Sequence, residues 1–340
     1  MPSCAAKKCR PDVTGALLAL LSAASFGLNN AMFRRGVLSG SVLQALAITV
    51  PLGVPLFALG CLVFGAFGAL GALPPASWAW MSAAGVTHFI IGRYGNYRAT
   101  RAMGAALSSP IQQLSVLVAL ALAFTFLDEY LTPLRAAGIV LVLFGPVIIL
   151  RRRANRPSPR QEPVFVVKYV EGFAWGLVCA VGYGTSPLFI RFGLEASLES
   201  NGIGDSIAGG LISYIAASLV IGLILLVPGN IAHFRTLDPT AARWFTASGV
   251  FVFISQLFRY MALAVAPVSV VQPVQRTSVV FRVIFAWALN RDHEVLTVPV
   301  LIGIGISLIG VLALTVSTEF VLAVIPLPDA VVAIARLTWP

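Results

Sequence analysis

The feature that most constrains this chain is its series of long apolar segments. Ten stand out, near 14–33, 42–66, 77–95, 103–126, 134–150, 171–190, 207–228, 244–264, 267–289 and 297–316. A bilayer's hydrocarbon core is about 30 Å thick, so a helix crosses it in roughly 20 residues. Backbone polar groups inside lipid must be satisfied internally, which leaves helices or a closed barrel. A barrel strand would alternate apolar and polar at every second residue, and these segments do not. The expected fold class is therefore all-α integral membrane, with ten transmembrane helices. The chain is 58% hydrophobic and only 11% charged, where an ordinary soluble domain is about 25% charged. That excludes a disordered protein, a disulfide-stapled domain and a soluble enzyme. The apolar run after the basic N-terminus ends at Arg34-Arg35 without a small-residue cleavage pattern, so it reads as a first membrane helix. Residues 319–336 are also apolar, but Pro326, Pro328 and Asp329 cut them into pieces too short to cross. They read as an interfacial tail.

The ten segments form two sets of five. Between them lies RRRANRPSPRQEP (Arg151 to Pro163), the only long polar stretch. The two sets repeat. Gly15, Ala23, Gly27, Arg34 and Gly36 recur as Gly172, Ala180, Gly184, Arg191 and Gly193, at an offset of 157. Tyr97, Ala99, Pro110, Gln112, Ser115 and Val116 recur as Tyr260, Ala262, Pro273, Gln275, Ser278 and Val279, at 163. Leu131, Thr132, Gly138 and Gly145 recur as Leu296, Thr297, Gly303 and Gly310, at 165. Five is odd, so two copies in series enter the membrane in opposite senses. This predicts two inverted five-helix repeats, 14–150 and 171–316, with a basic linker at 151–170 and a C-terminal tail at 317–340. Such a repeat is the architecture of many secondary transporters, with a site near the midplane where the halves meet.

The net charge of +10 is no nucleic-acid footprint, because the basic residues never form a soluble face. Six of the 23 Lys/Arg lie in one loop, between Arg151 and Lys168, as positive-inside retention would have it. Cys61 and Cys179 lie in apolar spans and read as packing residues. Cys4 and Cys9 are two ligands at most and cannot close a metal site.

Several residues carry a family resemblance. Leu127 to Pro133 reads Leu-Asp-Glu-Tyr-Leu-Thr-Pro between the fourth and fifth segments. Gly138 and Gly145 mark the fifth, and an aromatic-Gly step (Phe26-Gly27, Tyr183-Gly184) marks the first and sixth. With the five-plus-five repeat, the chain resembles ten-helix members of the drug/metabolite transporter superfamily with two EamA-type halves, over roughly 14–316. The second copy departs from the pattern at Arg291-Asp292-His293-Glu294 and at Pro187. The resemblance implies a carrier, but the superfamily moves amino acids, drugs, sugars, nucleotide sugars and phosphorylated metabolites, so it does not select a substrate.

An ionisable group inside a membrane helix is by default a functional candidate. The ninth segment has two, Arg276 and Arg282. At 100° per residue they share an arc of about 120° with Gln272 and Gln275. The fourth segment has a milder equivalent in Ser109, Gln112 and Gln113. Arg93, Asn96 and Tyr97 occupy the positions of Gln256, Arg259 and Tyr260. No Asp or Glu lies in the interior of any of the ten segments, the carboxylates clustering at ends and loops, so a ligand is expected to supply the anion. The first helix has Asn29 and Asn30 and no acid, which ranks anionic or zwitterionic substrates above lipophilic cations. The substrate-binding set is thus Arg276, Arg282, Gln275, Gln112, Asn29, Tyr97, Tyr260, Arg259 and Gln256. His88 is the candidate for proton coupling, as the one group in a span that titrates near neutral pH. Arg98 and Arg101 read as snorkelling side chains. Pro110, Pro273 and Pro187 read as helix breaks.

Val181-Gly182-Tyr183-Gly184 matches the core of a potassium filter, but it lies mid-segment and not in a re-entrant loop. No paired nucleophile and base, Gly-x-Ser-x-Gly, His-Glu-x-x-His or phosphate loop suggests an enzyme. The expected partners are a small-molecule substrate and the lipid bilayer of a cell (inner or plasma) membrane. No nucleic acid, metal or cofactor is expected, and the state is monomer or homodimer. The loops opposite the termini hold Arg34, Arg35, Arg93, Arg98, Arg101 and the 151–168 cluster, which puts the termini outside. The family resemblance implies termini in the cytoplasm.

Overall fold

Thirteen α-helices and one π-helix follow each other along the described residues of the computed structural model, which are 13–37, 39–127, 131–154, 168–196 and 202–289 with isolated positions beyond. Among them no strand occurs. The N-terminal twelve residues, most of the linker, the tenth segment apart from isolated helical positions, and the C-terminal tail lie outside them. So do Cys4 and Cys9.

The first repeat region contains α1 (Val13–Gly36), α2 (Val42–Thr49), α3 (Gly53–Val63), α4 (Phe67–Ala72), α5 (Pro75–Gly85), a π-helix π1 (Val86–Gly92), α6 (Arg93–Phe126) and α7 (Pro133–Ala154). The second contains α8 (Tyr169–Glu195), α9 (Ile203–Leu226), α10 (Asn230–Arg235), α11 (Pro239–Val265), α12 (Val268–Arg276) and α13 (Ser278–Leu289). Five stretches are long and apolar enough to cross a membrane: α1, α2 with α3, most of α8, α9 and α11.

Three expected elements differ. The second segment is two helices, because Pro51 breaks the ladder and the chain tightens through Gly53 N–H to Val50 and Val54 N–H to Pro51. The ninth is also two. Pro273 removes a donor, and Thr277 closes α12 by donating its hydroxyl to the Val274 carbonyl at 2.7 Å. A single helical wheel therefore does not relate Arg276 to Arg282. The turn expected between the third and fourth segments falls within the helical run of α6: Met81 and Gly92 lie against Gly193 and Gly182, whereas Ile111 and Val118 lie against Gly176 and Gly184, so the chain reverses between them without losing helical backbone bonding. In the second repeat the same place holds Pro267, which caps α12, whereas the first has Gly104 and keeps its N–H.

Helices of one half pack mainly on helices of the other. α1 lies along α11, and α8 lies along α6 and α5. A reciprocal clasp ties α1 to α11: Ser22 Oγ donates to the Ser255 carbonyl at 2.7 Å, and Ser255 Oγ to the Ser22 carbonyl at 2.9 Å. Each such bond between membrane helices contributes about 0.6 kcal/mol. The equivalent places in the other half are Cys179 and Gly92. There the backbones come close instead, and a Cβ on Gly182 would sit 2.8 Å from Gly92 Cα.

The same swap governs the glycines. A Cβ on Gly27 would come within 2.6 Å of Phe281 Cβ and 2.8 Å of Arg282 N, and one on Gly184 within 2.6 Å of Val118 Cβ. Phe281 and Val118 are themselves equivalent at the offset of 163. Small residues let these helices touch backbone to backbone.

Candidate functional site

Where α1, π1, α8, α11, α12 and α13 meet, Phe26, His88, Tyr183, Gln256, Gln275, Arg276 and Ser278 line a cavity. Its empty space is about 270 Å³, most of it in crevices narrower than a water molecule.

The polar groups behind its wall form one network. Arg259 on α11 is 1% exposed. It donates through Nη1 to Gln256 Oε1 at 3.1 Å and through Nη2 to Ser186 Oγ at 2.6 Å. A guanidinium only donates, so the Gln256 oxygen faces Arg259 and its nitrogen faces His88 Nε2 at 3.2 Å. His88 Nε2 must then accept. The remaining ring proton sits on Nδ1 and is donated to Ser186 Oγ at 2.9 Å. Donor logic thus fixes a neutral His88 with Nδ1–H. The wide turn of π1 carries this histidine; single π turns within α-helices are frequent at functional sites. The His88 ring stacks on Tyr183 with centroids 4.5 Å apart.

Arg276, at the last residue of α12, stands apart from this network. It makes no hydrogen bond among the described residues, and its Nε is buried without a partner. Its guanidinium carbon lies 5.7 Å from the centre of the Tyr183 ring, a cation–π contact. Gln275 beside it donates to Ser22 Oγ at 2.7 Å.

Arg93 opens α6 and is 1% exposed. It lies 4.9 Å from the Phe89 ring centre, and its Nη1 is 3.4 Å from Thr49 Oγ1. Counting it as a loop charge is therefore corrected: it is a core residue. Arg98 and Arg101 do reach the surface, and Arg98 pairs with Glu171 at the start of α8.

The other expected site residues serve helix contacts. Asn29 accepts from Ser248 at 2.6 Å, and Tyr260 donates to Ser213 at 2.6 Å. Tyr97 stacks on Phe33 with centroids 3.7 Å apart. Arg282 lies half-buried on α13 and does not line the cavity. The side chain of Gln112 lies outside the described ones.

Asp205 lies at a helix end, where the carboxylates are expected. Its helix begins at Ile203, so this carboxylate is buried in the first turn of α9. It is not part of the cavity wall. Among the described residues no group of three His, Cys, Asp or Glu could hold a metal.

Sequence reasoning missed Phe26, Tyr183, Ser186 and Ser278 as site residues. A signal existed for the first two. They are equivalent at the offset of 157, each precedes a close-packing glycine, and their rings meet edge-on with centroids 6.4 Å apart.

Comparison with known proteins places this geometry. No curated protein matches the chain. One solved crystal structure matches with a TM-score of 0.64 at 16% identity, covering 88% of this chain and 94% of its own. It shares the fold. The model of the EamA-like transporter family matches twice, at residues 13–151 and 170–316, and so takes in both sets of segments. The chain is a multi-pass membrane protein, and it belongs to the EamA-like transporter family.

Proposed function

We propose that the protein is a secondary transporter that moves a small polar metabolite, an amino acid or organic anion, by alternating access. The supporting observation is Arg276, a buried cation without a hydrogen bond in a cavity between the two halves. A charge at membrane depth is costly, by about 2.5–3.5 kcal/mol on insertion scales, and marks a substrate path when no protein anion meets it. The two halves, 14–150 and 171–316, act as inverted repeats joined by the linker 151–170, with the tail 317–340 at the interface. Cross-packing of α1 on α11 and of α8 on α6 supports that symmetry. The space at the cavity is too narrow for a metabolite, so transport requires the halves to rock apart on one side. Gln275 and Gln256 line the wall and Arg259 holds Gln256 from behind it; Asn29, Tyr97 and Tyr260 hold the helices that carry it, and Arg282 and Gln112 would meet the substrate once the halves part. His88 is where a proton would act: protonating Nε2 forces the Gln256 amide to turn over and release Arg259.

The test is uptake by proteoliposomes, with and without a pH gradient, for wild type and Arg276→Gln. The panel holds amino acids, carboxylates and lipophilic cations. Amino-acid or anion flux that falls at least tenfold in the variant is expected. Cation flux that survives the substitution, with no anion flux in wild type, would leave a broad drug exporter with structural arginines.

A further inference from the structure

Away from the cavity, two matching places in the halves are unequally complete. Tyr214 of α9 and Phe57 of α3 are equivalent at the offset of 157, and each ring lies on a glycine of the opposite half. A Cβ on Gly53 would come within 2.1 Å of Tyr214 Cδ1, and one on Gly210 within 2.3 Å of Phe57 Cε1. Tyr97 and Tyr260 are equivalent at 163. In the second half the polar groups of this place are all bonded. Tyr260 donates to Ser213, Ser213 donates to the Met81 carbonyl, and Gln256 is bonded to Arg259 and His88. In the first half Leu56 stands in the place of Ser213, and Arg93 in the place of Gln256. There three buried polar atoms have no partner: Arg93 Nη2, Tyr97 Oη and Tyr214 Oη. Their side chains are at most 2% exposed. The ring of Tyr97 is engaged with Phe33, but its hydroxyl is not.

The three groups are neighbours, since both tyrosines lie beside the Arg93 guanidinium. Among the described residues no carboxylate pairs with Arg93. Arg259 and Arg276 add two more positive charges around the same His88. A buried charge is held at low cost only when it is paired. Water in the gap would meet the hydrogen-bonding groups and leave that charge uncompensated, whereas an anion meets both needs. The room is small. Tyr97 is stacked on Phe33 with centroids 3.7 Å apart, Tyr214 lies on Phe89 at 4.1 Å, and Thr49 Oγ1 stands 3.4 Å from Arg93 Nη1. An organic acid has no place there for its carbon skeleton. We propose that Arg93, Tyr97 and Tyr214 bind a small inorganic anion of chloride's size, which accepts from Nη2 and from the two phenol hydroxyls. Both hydroxyl protons can turn toward it, and hydrogen bonds to an ionised acceptor are the strong ones. None of the three residues lines the cavity at Arg276, so the site is separate from it and independent of which metabolite is carried.

The experiment follows thermal melting of the full chain in detergent against chloride concentration, with gluconate replacing chloride at constant ionic strength. Bromide forms a second arm, and its anomalous diffraction from crystals locates the ion. The expected result for wild type is a saturable rise of several degrees with either halide and none with gluconate. The double variant Tyr97→Phe/Tyr214→Phe keeps both rings and removes both hydroxyls. It should raise the half-saturating chloride concentration by about tenfold or more. Arg93→Gln should abolish the halide effect; should that variant not fold, the double variant decides. Bromide should lie between Arg93 and the two tyrosines. Melting of the wild type that ignores halide would overturn the proposal and leave water in the gap. So would a halide effect unchanged in the double variant, or bromide found only elsewhere. None of these outcomes bears on the substrate at Arg276, which the uptake assay tests.

Discussion

Ser186 is a small residue with large consequences, since two buried donors end on one hydroxyl. Arg259 Nη2 and His88 Nδ1 both point at its Oγ. A buried donor left unsatisfied costs about 1–3 kcal/mol, and more for a charged one. Ser186→Ala should therefore lower the melting temperature in detergent by several degrees, while Ser186→Thr, which keeps the hydroxyl, should restore most of it. An unchanged melt in the alanine variant would mean that water replaces the hydroxyl at no cost. Arg276 behaves differently, because no described residue hydrogen-bonds to it and its contact is the Tyr183 ring. Arg276→Gln should fold as well as wild type or better, and lose flux; a variant that merely unfolds would return Arg276 to a structural role. Ionisable residues in apolar segments were legible in the sequence, and so was Arg276 as a site. Ser186 was not, because an isolated serine in a glycine-rich helix carries no pattern. Asn29, Tyr97 and Tyr260 looked like binding groups by type, yet their partners Ser248, Phe33 and Ser213 lie far away in sequence. Only the fold reveals that these groups are already engaged.

Helices in this protein are placed by glycine contacts that obey the repeat. Gly27 meets α13 and Gly184 meets α6 with equal closeness. Overpacking of this kind costs typically 1–3 kcal/mol. Gly27→Ala and Gly184→Ala should therefore destabilise by similar amounts, read as a loss of folded protein on size-exclusion chromatography after a heat step. A large effect at one glycine and none at the other would argue against equivalent packing. Repeated glycines were readable from the sequence because their spacing is kept. Helix breaks were less readable. Pro51 splits its segment, while Pro273 stays inside α12, which Thr277 closes, and Pro187 stays inside α8. The difference lies in what the neighbouring backbone does: Thr277 supplies a hydroxyl to close α12 at the Val274 carbonyl, and α8 has no such stop after Pro187. Gly104 in place of Pro267 shows the converse, for without a proline the chain reverses there while keeping its helical bonding.

At the scale of the whole molecule, the two halves carry matched shapes and unmatched charges. Arg93 stands where the second half has Gln256, Arg259 where the first has Asn96, and Arg276 where the first has Gln113. At none of these three places do two arginines occupy equivalent positions, which keeps like charges off a common axis. The inverted arrangement proposed for the two halves makes a direct prediction. The stretch from α3 to α5, which carries α4, and the stretch from α9 to α11, which carries α10, occupy equivalent places in the two repeats, so inversion puts them on opposite faces of the membrane. His233 of α10 touches Ser41 at the head of α2 at 2.8 Å, and Ser77 near the head of α5 donates to the Gly193 carbonyl of α8 at 2.7 Å. Each of these contacts joins ends that inversion places together. Gly68 and Thr236 are exposed on the two stretches, and a Cβ at Gly68 meets only open space. In a background with Cys4, Cys9, Cys61 and Cys179 replaced by serine or alanine, Gly68→Cys and Thr236→Cys would each be exposed to a membrane-impermeant maleimide on sealed cells. One should react at once and the other only after permeabilisation. The reactive one also names the outer face and settles which side the termini share. Reaction of both from the same side would leave the halves parallel, and rocking about a pseudo-twofold axis in the membrane plane would no longer be available to the chain.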